Sequence, residues 1–126
     1  MNYCFDRKEE KDHGEGGGFV GAALKDGDNV VVVDDVVTSG KAFGEVLPKL
    51  RGAADVKING FVVTVDRMEK TLGGEKSATA QIAEDFGIPV FSIVNIHDII
   101  AALENGVIPG AEFVPAMKKY LEDYGV

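Results

Sequence analysis

Four consecutive valines, Val30–Val33, run into two adjacent aspartates and then into the turn Thr38-Ser39-Gly40-Lys41. β-Branched residues are stiff and pack well on a pleated surface, so this run favours a strand. Because the run is unbroken and does not alternate with polar residues, it predicts a strand buried on both faces, as in a parallel sheet. In open α/β sheets ligands bind at the carboxyl ends of the strands. The pattern therefore sets Asp34 and Asp35 where a ligand would lie, with a glycine-bearing turn between them and the next helix.

The same alternation of strand and helix continues along the chain. "NYCF" (residues 2–5) reads as a short strand, and "DRKEEKDHGEGGG" (residues 6–18) as a loop of charge and glycine without apolar period. "KAFGEVLPKLRGA" reads as a helix with Phe43, Val46, Leu47 and Leu50 on one side, kinked by Pro48. "VKINGFVVTVD" (residues 56–66) is the next strand, followed by a loop up to Lys76. Ser77 and Gly87 are the expected N-cap and C-cap of a helix, and "IPVFSIVN" is a third strand. Asn95 caps a further helix that ends before Gly106, and "EFVPAMKKYLEDYG" is an amphipathic closing helix. Strands separated by helices predict one α/β domain over residues 1–126, with right-handed crossovers and a doubly wound parallel sheet.

Composition narrows the function classes. A chain of 126 residues with 45% hydrophobic residues can build a core. Its net charge of −8 argues against a general nucleic-acid binder or a protein drawn to anionic membranes. No apolar run approaches the ~20 residues of a membrane span, and no secretory signal is visible. Cys4 is the only cysteine and there are two histidines, so neither a disulfide framework nor a zinc-ligand spacing is present and no protein-held metal site is expected. A cytoplasmic protein is the expectation.

The turn before the helix carries the chemistry. A helix start offers unpaired N–H groups and the positive end of the dipole, which suit a phosphate. Gly40 lets the backbone approach closely, while Thr38 and Ser39 add hydroxyl donors. The two carboxylates repel phosphate, and their natural partners are hydroxyl donors or a cation. A phosphorylated ribose satisfies both halves. A helix cap with a solvated acidic turn is the plainer alternative, against which the valine run and the anion turn both weigh. The spacing is not that of a Walker loop, and "GEGGG" is not placed as a dinucleotide fingerprint.

"VVVVDDVVTSGKA" resembles the phosphoribosyl-pyrophosphate (PRPP) motif of type I phosphoribosyltransferases. "YCFDRKEEKDHGEGG" is similar to the catalytic loop of the orotate-specific branch of that family, and the likeness continues through "VVTVDRMEK" and "EKSATAQIAEDFGIPVFSIV" to "KKYLEDYGV". The resemblance implies a type I phosphoribosyltransferase-like core, truncated at its N-terminus, since the family carries a further segment of comparable size before this point. It also implies transfer of the phosphoribosyl group from PRPP to orotate. Asp34 and Asp35 would bind the ribose hydroxyls, and Val36, Val37, Thr38, Ser39, Gly40, Lys41 and Ala42 would cradle the 5′-phosphate. Thr38 and Arg67 would meet orotate. Arg7, Lys8, Lys11 and His13, in a flexible loop over residues 7–18, would close on the pyrophosphate, with Lys11, His13 and Asp35 as the catalytic residues. Mg²⁺ held mainly by PRPP is the implied cofactor, and the family's dimer shares this loop between subunits.

Three strands without the family's further segment would leave an apolar edge open, which favours a homodimer or larger assembly. Two other readings remain open at this point. A PRPP-binding regulator would keep the fold without the chemistry, although Lys11 and His13 argue for a leaving group to stabilise. A response-regulator receiver would use an acidic pair with Asp66, but it needs no Thr-Ser-Gly-Lys turn.

Overall fold

A computed structural model of the chain describes residues 1–7 and 18–126. Its elements are β1 (Cys4–Asp6), β2 (Phe19–Gly21), β3 (Asn29–Val36), α1 (Lys41–Ala53), β4 (Lys57–Asp66), α2 (Ala78–Phe86), β5 (Val90–Asn95), α3 (Ile96–Glu104), a 3₁₀ turn (Ala111–Phe113) and α4 (Val114–Tyr124). They fall into two compact units, one of residues 1–30 and 41–59, the other of residues 31–40 and 60–126. Among the described residues no helix is long and apolar enough to cross a membrane.

In the first unit β1 and β2 pair antiparallel, Cys4 opposite Gly21 and Asp6 opposite Phe19. Gly21 has φ +118°, and a Cβ there would stand 2.6 Å from the Tyr3 carbonyl oxygen, so the position requires glycine. β2 lies beyond the charged loop and its pairing was not expected from sequence. Asp6, at the end of β1, is bound to Lys49 Nζ of α1 at 2.8 Å. α1 runs from Lys41 to Ala53 with Pro48 inside it, and buries Phe43, Leu47 and Leu50 at helical spacing. The turn before β3 is tied down by Asp26 Oδ1, which accepts the Asp55 N–H at 2.7 Å, and by the Gly27 N–H, which donates to the Asp55 carbonyl at 2.8 Å.

In the second unit the strands lie in the order β3-β4-β5. β4 and β5 are parallel, with Val63 opposite Ser92 and Val65 opposite Val94. Phe61, Val63 and Ile82 are almost fully buried, and each contributes about 1.5–3 kcal/mol by leaving water. α2 starts at Ser77, whose Oγ accepts the Ala80 N–H, and stops at Gly87 in the left-handed conformation. α3 starts in a capping box of Asn95 and Asp98. α3 and α4 pack through Ile100, Leu103 and Val114, flanked by Met117 and Leu121.

One expectation is corrected. β3 is not buried on both faces: Val31 and Val33 are 53% and 72% exposed, while Val30, Val32 and Asp34 are half-buried. Phe91 and Ile93 on β5 are exposed as well. Val62 and Phe91 are paired residues of parallel strands and share a face, opposite to that of buried Phe61 and Val63. Burial thus alternates along β3, and the valine run is covered on one side only.

Candidate active site

β3 ends on the two aspartates. Asp34 is half-buried and its Oδ1 accepts the Asp35 N–H at 2.9 Å; Asp35 is exposed and its Oδ1 accepts the Val36 N–H at 2.6 Å. Each carboxylate thus spends one oxygen on the next backbone amide, which fixes its direction at the strand end. Val36 closes the strand, Val37 is half-buried, and Thr38 and Ser39 are exposed in the bend that follows. Gly40 has φ +70°, and a Cβ there would stand 2.6 Å from Cγ1 of the buried Ile82. Both the backbone conformation and the close approach of α2 therefore demand glycine. Lys41 and Ala42, exposed, are the first two residues of α1 in the other unit, where the chain turns helical directly after Gly40.

β4 ends on Asp66, and the loop beyond it is held by an unforeseen network. Met68 has φ +52°, a left-handed conformation that costs a residue with a side chain about 1–3 kcal/mol unless its surroundings enforce it. Asp66 supplies that enforcement: Oδ1 accepts the Met68 N–H at 2.8 Å, and Oδ2 accepts the Thr79 hydroxyl at 2.9 Å. Thr79 Oγ1 lies 3.0 Å from Ser77 Oγ; since the Thr79 proton goes to Asp66, Ser77 is the donor in that contact. Strand end, loop and helix start are joined in one chain of bonds. Arg67 stands between the two anchored residues, and its Nε and Nη2 donate to the two Glu69 carboxylate oxygens at 3.0 and 2.9 Å. That side-on pairing leaves the Nη1 end of the guanidinium, a second fork that fits a carboxylate.

The two loops meet. Val37 and Thr38 from the loop after β3 and Arg67–Lys70 from the loop after β4 line one pocket, with Ala78 at its wall. Among the expected site residues, the structure thus brings Thr38 and Arg67 together. Arg7, in the first unit, is exposed and its N–H donates to the Gly18 carbonyl at 2.7 Å. Lys8, Lys11 and His13, and residues 8–17 of the expected loop, lie outside the described residues. Sequence reasoning gave no role to Asp66 in this site or to Glu69, although both flank Arg67 in "DRMEK". In the receiver alternative Asp66 would have to be available for modification; here it is bound to Met68 and Thr79.

Residues 1–93 match the sequence model of the family described as "Phosphoribosyl transferase domain". The chain is 47% identical over 131 residues to an orotate phosphoribosyltransferase of Bifidobacterium animalis subsp. lactis, covering 99% of this chain and 57% of the relative. A similar protein of Agathobacter rectalis is 44% identical, with 99% of this chain and 58% of that protein covered. Among solved structures, an orotate phosphoribosyltransferase of Francisella tularensis superposes with a TM-score of 0.74 at 37% identity, over 100% of this chain and 57% of that one. The chain spans little more than half the length of these curated relatives.

Proposed function

The chain belongs to the phosphoribosyl transferase domain family, and we propose that it carries the PRPP- and orotate-binding loops of an orotate phosphoribosyltransferase. In that reaction N1 of orotate forms a bond to C1′ of the phosphoribosyl group while the bond from C1′ to the pyrophosphate oxygen breaks. The products are orotidine 5′-phosphate and pyrophosphate. The observation that carries the reading is the shared pocket of Thr38 and Arg67, which follow the adjacent strands β3 and β4, with the Asp34–Asp35 pair near the end of β3.

Each group has a task in this scheme. Asp34 and Asp35 accept hydrogen bonds from the ribose hydroxyls through the oxygens that the backbone leaves open. The N–H groups from Val36 to Ala42, with the Thr38 and Ser39 hydroxyls, bind the 5′-phosphate. Arg67 offers its outer fork to the orotate carboxylate, and Thr38 touches the base. Arg7, Lys8, Lys11 and His13 bring positive charge to the departing pyrophosphate, where stabilising developing charge is the largest lever available. The substrate's own oxygens would be the main ligands of Mg²⁺. When bound, that ion supplies charge neutralisation at the leaving group.

The ribose assignment is open to a direct test. Asp35→Asn removes one charged acceptor from an exposed position without disturbing the core, and should weaken PRPP or ribose 5-phosphate by about 1.5–3 kcal/mol. Titration calorimetry on the two proteins measures it; equal affinities would remove Asp35 from the ribose site. Mixing the protein with PRPP, Mg²⁺ and orotate while following the ultraviolet absorbance of orotate tests the reaction itself.

We also place the protein in the cytoplasm as a homodimer or larger assembly. The support for assembly is the exposure of large apolar side chains on two strands of the sheet, Val31 and Val33 on β3 and Phe91 and Ile93 on β5, since proteins in water seldom leave large apolar patches bare. The occupant of these apolar positions is a second copy of the chain. Light scattering should report at least a dimer, and Val33→Asp with Ile93→Asp should shift it toward monomer. A stable, cooperatively unfolding wild-type monomer would refute the assembly.

A further inference from the structure

The loop that carries Arg67 is gripped from a second side. The Lys70 N–H donates to the Tyr124 carbonyl at 2.8 Å, the Val126 N–H donates to the Met68 carbonyl at 2.9 Å, and Glu69 stands opposite Gly125 in an antiparallel bridge. Residues 68–70 and 124–126 therefore form a short β-pair, although neither segment belongs to the main sheet.

The delivery of residues 124–126 is itself specified. α4 is fixed against α3 through Val114, Ile100 and Leu103. At its end the Gly125 N–H donates to the Leu121 carbonyl at 2.8 Å, and a Cβ on Gly125 would stand 2.5 Å from that same oxygen. Only glycine lets the chain leave α4 at this angle and enter the pair.

Met68 is the point on which both grips act. Its N–H is held by Asp66 and its carbonyl by Val126, which together account for a left-handed residue that is not glycine. Releasing either bond lets Met68 relax to an ordinary conformation, and that rotation redirects the two neighbours whose side chains pair, Arg67 and Glu69. We propose that Tyr124–Val126 is a positioning element for base recognition, holding residues 67–70 in the shape that presents the Arg67 fork. The proposal rests on Arg67 as the partner of the orotate carboxylate.

Val126→Pro deletes the N–H that Met68 uses and little else. The side chain is half exposed, and Gly125 at ψ 160° already has the conformation that a residue before proline takes. Val126→Ala keeps the N–H and serves as its control. Amide hydrogen exchange at Met68–Lys70 is read first, without ligand: it should quicken in Val126→Pro and stay at the wild-type rate in Val126→Ala. Calorimetry should then show orotate affinity lowered about 3- to 10-fold in Val126→Pro alone, the worth of one hydrogen bond, with PRPP affinity unchanged. Unaltered exchange at Met68–Lys70 overturns the proposal whatever happens to binding. An equal loss of PRPP and orotate affinity also overturns it, because that marks a general structural role. Arg67→Ala, run alongside, separates the two ideas. If that variant keeps full orotate affinity the recognition reading has failed, whereas if it loses affinity and Val126→Pro does not, only the positioning role has failed.

Discussion

Arg67→Ala will cost the protein most of its affinity for orotate and leave its affinity for PRPP close to unchanged. The guanidinium is planar and its outer fork matches a carboxylate with two parallel N–H donors. Each such charge-assisted bond is worth about 1.5–3 kcal/mol, so losing two of them weakens binding by about 100-fold or more. A second effect works in the same direction. Glu69 is now neutralised side-on by Arg67, and without that partner its negative charge would repel a carboxylate bound in the same pocket. Glu69→Gln added to Arg67→Ala should therefore recover part of the loss. Arg67→Lys keeps the charge without the fork and should fall between wild type and alanine. Calorimetric titration of each variant with orotate, in the presence and absence of PRPP, measures the series. Undiminished orotate affinity in Arg67→Ala would mean that the base is held elsewhere.

What was legible in the sequence is what local chemistry determines. Ser77, Gly87 and Asn95 cap the helices expected of them, because each acts on the backbone within a few residues of itself. The valine run marks β3 and places Asp34 and Asp35 at its end, but a run of valines cannot say which of its faces has a neighbour. Val31 and Val33 prove to be exposed while Val30 and Val32 are half-buried. β2 was missed because three residues ending in glycine carry no pattern, and it exists through its pairing with Cys4–Asp6. The loop after β4 shows the same limit at the site itself. Arg67 could be singled out by its resemblance to a known motif, yet its surroundings depend on Met68 adopting a conformation that no rule assigns to methionine. That conformation is set by Asp66, Thr79 and Val126, two of them distant in the chain. Caps are local and clamps are not.

Lys11→Ala should lower kcat by about 100- to 1,000-fold while changing the binding of PRPP far less. When the bond from C1′ to pyrophosphate stretches, negative charge grows on the leaving group and the sugar becomes electron-poor. A cation brought close at that moment stabilises the transition state more than the ground state, and removing one preorganised donor of this kind costs about 10²–10³ in rate. Because the chain spans 57% of the Bifidobacterium animalis relative, turnover is best measured with the remaining length supplied, fused or as a second polypeptide. Lys11→Arg retains the charge and should retain more of kcat than alanine does. Steady-state kinetics over both substrates distinguishes the two possible roles: a variant with normal kcat and a raised KM for PRPP would make Lys11 a residue of ground-state binding, and the leaving-group assignment would then pass to Lys8 or His13.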